Sequence, residues 1–294
     1  MENIYPIIQK NPGHTAWVDC GGNMPGELRL MCILAHPDDE SLGCGFTLAR
    51  YAAEGVRTYL ATATRGERGW SGPPEENPGL EKLGRIRERE LLNAAITLGI
   101  REVNFLDYVD GELGQADPAE AVAKITRLIR RVRPQVVITF DPMGAYGHPD
   151  HIAIQQFCMA AVMAAADGEY LLANGSPPHR VSKVYYMVDN QALVDLVKVL
   201  WGGIKFEVNG VTREHTAWPD WAITTRVDAS AYWEVGLDAI ACHETQVADL
   251  IDGMRMLPHH DDPRKLTVQN YYRAMSLVNG NPGIETDLFE GLRD

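Results

Sequence analysis

The chain has 294 residues, 45% hydrophobic and 23% charged, an ordinary globular composition with room for one large domain or two modest ones, which excludes intrinsic disorder over most of its length. Forty acidic against 27 basic residues give a formal charge of −13, which repels phosphate backbones and anionic lipid and points to a small-molecule ligand, with neither nucleic acid nor membrane as partner. The longest apolar run, Phe157 to Ala166, is about half of the ~20 residues a spanning helix needs, and the first residues lack a basic segment followed by an apolar one, so a cytoplasmic protein is expected. Five scattered cysteines without a C-x-x-C pair suggest buried small hydrophobes rather than disulfides or a cysteine zinc site. Self-association stays open.

Residues 1–27, rich in Pro and Gly, read as an arm laid on the surface. Leu30 to Ala35 is an apolar run of strand length, and Leu42, Phe46, Ala49 and Ala53 then recur at helical spacing up to Gly55. A second strand is expected over Arg57 to Ala63 and a helix with buried Leu91, Ala94, Ala95 and Leu98, closed by Gly99; the Gly/Pro-rich stretch between them is a loop. A short strand near Val103 to Leu106 follows, then a helix carrying Val122, Ile125, Leu128, Ile129 and Val132 that Pro134 stops, then a strand from Val136 to Phe140. The helix from about Pro149 to Ala166 is apolar nearly all round and belongs in the interior. Beyond it, a fifth strand over Val184 to Val188, a helix over Ala192 to Leu200, a loop-like stretch from Trp201 to Asp220, a strand over Ile223 to Val227 and one long helix from Ala229 to Asp252 are expected. Strands alternating with helices imply an α/β, Rossmann-like, mainly parallel sheet with helices on both faces and a C-terminal elaboration. The expected organisation is a single domain: an arm (1–27), a catalytic core (28–166), and a part that completes the core and shapes a substrate cleft (167–294).

Chemistry concentrates in two segments. Leu34-Ala35-His36-Pro37-Asp38-Asp39-Glu40 follows the first strand, at the carboxyl end where open α/β sheets bind ligands. His36 and Asp39 converge on one cation if the chain turns from strand to helix between them, and nitrogen with oxygen suits zinc or another divalent transition metal. Tyr146-Gly147-His148-Pro149-Asp150-His151 follows the fourth strand, and His151 there is a third ligand if the two strand ends are neighbours. Three protein ligands leave room for water and substrate. The competing account makes Asp38, Asp39 and Asp150 plain helix caps. Two others are weaker: Gly43-Cys44-Gly45 lacks the third glycine of a dinucleotide loop, which would fall at Leu48, and His259-His260-Asp261-Asp262, the ligands of a metal-dependent phosphoesterase, read as a solvated charge run.

At these residues the chain resembles the zinc-dependent de-N-acetylases named for the phosphatidylinositol-glycan class L and LmbE proteins, relatives of N-acetylglucosaminyl deacetylases and mycothiol-conjugate amidase. The resemblance covers roughly residues 29–165 and includes Thr64-Arg65-Gly66-Glu67, the Arg87/Glu90/Ala94/Leu98-Gly99 spacing and Leu106-Asp107-Tyr108-x-Asp110-Gly111. It implies that His36, Asp39 and His151 bind Zn2+ and that Asp38 is the general base, a role that suits a carboxylate beside a Lewis acid. On the same reading His148 acts as an imidazolium on the oxyanion or the leaving amine, with Asp150 orienting it and holding its charge. Arg65, Tyr146 and His243 are candidate substrate contacts; Arg65 paired to Glu67 or Glu88, Tyr146 as packing and His243 as a core histidine are the alternatives. The expected reaction is removal of an N-acetyl group from an N-acetylglucosamine-containing small molecule, with amide cleavage of a thiol-sugar conjugate or phosphoester hydrolysis as alternatives.

Overall fold

A computed structural model describes residues 4–6, 26–170, 172, 175–208, 210–247, 264–279 and 283–293. In chain order the elements are β1 (Ile4–Pro6), β2 (Arg29–Leu34), α1 (Asp39–Ala53), β3 (Arg57–Thr62), α2 (Leu80–Leu98), β4 (Glu102–Phe105), α3 (Pro118–Val132), β5 (Val136–Phe140), the irregular turn α4 (Gly144–Gly147), α5 (Pro149–Ala166), β6 (Lys183–Val188), α6 (Gln191–Trp201), β7 (Lys205–Val208), β8 (Val211–Glu214), β9 (Thr225–Asp228), α7 (Trp233–Ala241) and β10 (Val268–Ser276). Eight strands form one sheet in the order β1-β4-β3-β2-β5-β6-β10-β9. The five central strands, β4 to β6, are parallel, and antiparallel pairs flank them at both ends.

Every residue of β2 is buried, which is why its sequence is a continuous apolar run rather than an alternation: helices cover both faces. Helices α1, α2 and α7 pack together, as do α3 and α5, and α5 also lies on β2 and β5. The chain proceeds from β2 outward through β3 to β4, then crosses to the other side of β2 to make β5 and β6. β2 and β5 are therefore hydrogen-bonded neighbours, Leu30 opposite Val136 and Cys32 opposite Ile138. Their outgoing loops run apart and leave a crevice at their carboxyl ends, the switch point where such sheets bind ligands.

Four expectations need correction. Ile4–Pro6 is an edge strand on β4; residues 7–25 of the expected arm lie outside the described residues. The stretch read as loop after Trp201 holds a hairpin, β7–β8, whose strands are largely exposed and so carry no burial alternation; its one sequence signal is the Asn209-Gly210 pair, a hairpin turn type. The long helix expected over 229–252 ends at Ala241, and the chain breaks at Cys242-His243 before a second helical run at 244–247; its end at Asp252 is outside the described residues. Strand β10 was not anticipated, because its buried Gln269 and Asn270 face a cavity and spoil the apolar pattern. Among the described residues no helix is long and apolar enough to cross a membrane.

The antiparallel end of the sheet is tied by one carboxylate. Glu285, 1% exposed, accepts from Lys183 Nζ (2.8 Å) and Tyr185 Oη (2.7 Å) on β6, Thr225 Oγ1 (2.9 Å) on β9 and Arg273 (2.5 Å) on β10. Lys183 is fully buried, so Glu285→Ala strands an ammonium in the interior, and a loss of ~3–5 kcal/mol is expected from chemical denaturation. A loss under about 1 kcal/mol would mean that water or loss of the Lys183 proton compensates and that Glu285 does not hold this edge.

Candidate active site

The β2–α1 turn is built by carboxylates bonding back onto the chain. Asp39 Oδ2 accepts from the amides of Ala35 (3.1 Å) and His36 (2.7 Å), and Glu40 Oε2 accepts from the amide of Asp38 (3.1 Å). Between them Asp38 is held at φ 111°, ψ −28°, a conformation that costs a non-glycine residue ~1–3 kcal/mol and persists where the surroundings enforce it. Asp38 occupies the N-cap position of α1 yet makes no side-chain capping bond; its Oδ2 instead accepts from Arg87 at 3.0 Å. The plain-cap account therefore fails for Asp38. Burial pushes its carboxyl above the usual carboxylate range, against the pull of Arg87.

The β5–α5 turn is also strained: Gly144, Ala145 and Gly147 all have positive φ (63°, 59° and 85°). A Cβ at Gly147 would sit 2.5 Å from Arg213, whose guanidinium donates to the Gly147 carbonyl at 2.7 Å, so the β7–β8 hairpin packs directly on this turn. His148 is the N-cap of α5, its Nδ1 accepting from the amide of Asp150 at 3.1 Å, with Pro149 at the first helical position. Asp150 is fully buried and accepts from the amides of Gly111 (2.7 Å) and Leu113 (3.1 Å). Its carboxylate meets His36, with Oδ2 3.3 Å from Nε2, and does not orient the His148 ring as expected. His148 is corrected too: burial and the neighbouring His36 push its pKa down to about 4, and its capping Nδ1 has no room for a proton, so it is a neutral imidazole that presents Nε2–H.

The two turns meet. His36 Nδ1 lies 3.2 Å from His151 Nε2, His151 Nε2 lies 3.4 Å from Asp39 Oδ1, and His36 Nδ1 lies 3.7 Å from Asp39 Oδ2. The other nitrogen of His36, Nε2, faces Asp110 Oδ1 at 3.1 Å and Asp150, and a carboxylate there fixes the tautomer that leaves Nδ1 with its lone pair. Asp39 meets His151 with Oδ1 and His36 with the Oδ2 that two backbone amides already hold, so Oδ1 is the oxygen free for a cation beside the two imidazole nitrogens, a donor set that suits zinc. Among the described residues, the sets of three whose ligand atoms all lie within 4.8 Å of one another are His36 with His148 and His151, and His36 with Asp110 and Asp150; Asp39 is in neither. Burial opposes a charge on His36, but Asp110, Asp150 and Asp39 outweigh it and push its pKa up to about 10; the cluster demands a positive charge at this spot. Asp39 is pushed up to about 7 by burial, against the attraction of His36. His151 stacks on Phe140 (3.9 Å, 13°) and Tyr146 packs edge-on against His151 (5.2 Å).

Asp38, Asp39, Tyr146 and His151 form one end of a cavity of about 1000 Å³, whose walls include Phe46, Trp70, Met187 and Trp218. Arg65 and His243 are not among the described residues that line it, and neither are His36 and His148, which stand behind Asp39 and His151. Arg65 is held by Glu88 (2.5 Å) and Asp107 (2.6 Å) over the Phe105 ring, so its substrate role is withdrawn. His243 is fully buried, with Nε2 2.8 Å from Glu40 Oε1 and 3.3 Å from Ser41 Oγ, and is a core histidine. Sequence reasoning named Arg87, Asp110 and Glu40 within the motifs but gave them no role. Arg87, 3% exposed, donates to Pro37 O (2.5 Å) and Gly66 O (2.8 Å) as well as to Asp38; its signal was a charge inside the buried stripe of α2, between Leu83 and Leu91. Sequence reasoning missed Phe206 on β7, whose ring lies 4.7 Å from that of His148. The His259–Asp262 cluster lies outside the described residues.

Comparison with known proteins adds three findings. The family model described as GlcNAc-PI de-N-acetylase (PIG-L) matches residues 31–162. The 1D-myo-inositol 2-acetamido-2-deoxy-alpha-D-glucopyranoside deacetylases of Kineococcus radiotolerans and Thermobifida fusca are each 35% identical, over 90% of this chain and 83% of the first relative, and over 89% of this chain and 98% of the second. The N,N'-diacetylchitobiose deacetylase of Pyrococcus horikoshii shares the fold at a TM-score of 0.60 and 20% identity, over 83% of each chain.

Glu40 and His243 are both fully buried. Burial opposes both charges, yet each holds the other: His243 is pushed above its ordinary pKa by Glu40, and Glu40 below its own by His243. A raised histidine stabilises fully below its unfolded pKa of ~6.5 and loses that contribution as pH rises through the folded value; a lowered carboxylate stabilises above ~4.3 and loses it as pH falls. The stability difference between wild type and Glu40→Gln should therefore peak between about pH 5 and 6.5 and shrink toward alkaline pH. A difference that is flat from pH 5 to 9 would mean that His243 stays neutral.

Proposed function

The chain belongs to the PIG-L family of de-N-acetylases and is a hydrolytic N-deacetylase, and from that premise we propose that it removes the acetyl group from an N-acetylglucosamine-containing small molecule, as the names of its relatives describe for theirs. The observation that carries the reading is the meeting of His36 Nδ1, His151 Nε2 and the Asp39 carboxylate beside a cavity that Asp38 lines. His36, Asp39 and His151 would hold the metal, and a donor set of two imidazoles and one carboxylate suits zinc. A bound ion of that kind lowers the pKa of a water and polarises the acetamide carbonyl.

The chain's own groups do the rest. Asp38, raised by burial and aimed by Arg87, takes the proton from the attacking water as its oxygen adds to the acetamide carbon. Charge that builds on the carbonyl oxygen meets the Nε2–H of neutral His148, which needs no reorganisation because its Nδ1 is already committed to the helix cap. Tyr146, whose phenol burial keeps protonated, is a second donor beside it. The C–N bond then breaks, the proton held by Asp38 passes to the leaving nitrogen, and acetate and a primary amine depart. Asp110 and Asp150 act through His36 by holding its Nε2–H.

Three replacements test these roles separately. His36→Ala, Asp39→Ala and His151→Ala should each lower bound zinc and acetate release together; full occupancy in all three would sink the ligand assignment. Asp38→Asn should keep the metal and lose about 10²–10⁴ in kcat, and near-normal turnover would hand the base role to another group. His148→Ala should keep the metal and lose about 10²–10³ in kcat with little change in KM, whereas an unchanged kcat would remove it from the mechanism.

A further inference from the structure

The β7–β8 hairpin is exposed on most of its surface, yet one pair of its side chains is turned onto the protein. Of the four residues of β8, Arg213 alone is half-buried, and its partner across the ladder is Phe206 of β7. Residues directly opposite each other in an antiparallel pair project from the same face, so Phe206 and Arg213 bear on one target together. That target is the turn that carries Tyr146 and His148.

Arg213 meets the backbone of the turn. Its guanidinium donates to the Gly147 carbonyl at 2.7 Å, and its stem lies so close that a Cβ at Gly147 would come within 2.5 Å of Arg213 Cδ and 3.0 Å of its Cβ. Phe206 meets the side chains. Its ring lies 4.7 Å from that of His148 and 6.4 Å from that of Tyr146, so the His148 imidazole has three ring neighbours, Phe206, His36 at 4.7 Å and His151 at 4.9 Å.

The turn needs outside support because its own conformation is unfavourable. Ala145 stands at φ 59°, ψ −76°, a region that non-glycine residues avoid unless their surroundings enforce it. Asp141 holds the start of the turn, its carboxylate accepting from the Ala145 amide (2.9 Å) and its carbonyl from the Gly144 amide (3.0 Å). Arg213 holds the end. Because the peptide unit is planar, a carbonyl fixed at Gly147 also fixes the plane that leads into His148, whose ring caps α5 and so aims Nε2–H. The hairpin is fastened to the core at its base, where the His215 amide donates to the Ile204 carbonyl (3.1 Å) and His215 Nε2 lies 2.7 Å from Asp189 Oδ2. A two-stranded ribbon is marginal in water by itself, so it holds the turn only while such anchors hold it.

We infer that Phe206 and Arg213 are positioning residues for the reaction: Arg213 locks the Gly147 carbonyl, Phe206 locks the plane of the imidazole, and both act through His148. This rests on the deacetylase reading above and deepens it, since His148 is the donor that reading places at the carbonyl oxygen.

The test measures acetate release from the methyl and inositol glycosides of N-acetylglucosamine on the metal-loaded protein. Arg213→Met keeps the stem and removes the donor, and Phe206→Ala removes the ring; each should retain the metal and lower kcat about fivefold or more, with KM within about twofold of wild type. Lys205→Ala breaks an exposed pair with Glu214 (2.8 Å) on the same hairpin and should leave kcat within about twofold. An equal loss there would mean that any loosening of the hairpin suffices, which would overturn the assignment. In a His148→Ala background the Arg213 and Phe206 changes should each cost less than about twofold, because the group they act through is gone; losses that multiply in full would overturn it too. A readout without substrate is hydrogen exchange of the Asp150 amide, which His148 Nδ1 holds. It should be about threefold or more faster in Arg213→Met than in wild type, and equal exchange would remove the positioning role. If neither glycoside releases acetate from the wild type, the deacetylase reading falls instead, and the exchange comparison alone decides whether the pair holds His148.

Discussion

The site depends on where a positive charge can be buried. Asp38, Asp39, Asp110 and Asp150 all lie within or beside the His36 cluster, and a buried carboxylate is costly unless hydrogen bonds or a countercharge hold it. Backbone amides carry three of them: Asp39 takes two, Asp150 two and Asp110 that of Arg68. The fourth, Asp38, is carried by Arg87, the single guanidinium in reach. That arrangement neutralises one charge and leaves the rest focused on His36, whose two nitrogens divide the work. Nε2 faces the fixed carboxylates, and Nδ1 faces His151, whose own Nε2 meets the free oxygen of Asp39. The loops on both sides of the crevice are shaped to keep this division, which is why their strain is tolerated: the positive φ at Asp38 and at Gly144, Ala145 and Gly147 lets the two turns bring His36, Asp39 and His151 together.

The sheet topology makes the meeting inexpensive. Because β2 and β5 are adjacent and the chain reverses its direction of travel across the sheet between them, two loops more than a hundred residues apart in sequence open onto one crevice without any long excursion of the backbone. The segments that shape the cavity come from later in the chain. The β7–β8 hairpin reaches back to the His148 turn through Arg213 and Phe206, and β10 supplies the wall that holds Gln269 and Asn270. Gln269 is spent on the backbone of α1, bonding the Thr47 amide and the Gly43 carbonyl, so the same strand that borders the cavity also fixes the helix that carries Asp39.

The central strands were legible because each is buried on both faces and therefore spelled in unbroken apolar letters; β2 and β5 are the clearest cases. His36, Asp39 and His151 were legible because titratable residues at a strand end have few structural reasons to cluster. What escaped were contacts that depend on long-range packing. Nothing local distinguishes Asp150, which turns toward His36, from a residue that serves its neighbour His148, because the choice is made by the amides of Gly111 and Leu113 on another loop. Arg65 looked free at the end of β3, yet Glu88 and Asp107 claim it from elsewhere in the chain. The hairpin and β10 escaped for a different reason: one is exposed on most of its length and the other buries polar residues against a cavity, so neither shows the alternation that marks a half-buried strand.

Burial acts on Asp38 and His148 in opposite senses, and that contrast supports the roles proposed for them. The same loss of water that raises the Asp38 carboxyl, making it a better proton acceptor, lowers the His148 imidazole and keeps it neutral. Groups whose environments drive them apart in this way are suited to complementary work. A neutral His148 cannot serve as a charged acid, but it has no need to: its Nδ1 is fixed by the amide of Asp150, so Nε2–H points in one direction before any substrate arrives. A donor organised in advance stabilises developing charge without a cost of reorientation at the moment of reaction. On that proposal the helix cap and the oxyanion donor are one side chain, and the stability of α5 and the chemistry at its N-terminus rest on the same hydrogen bond.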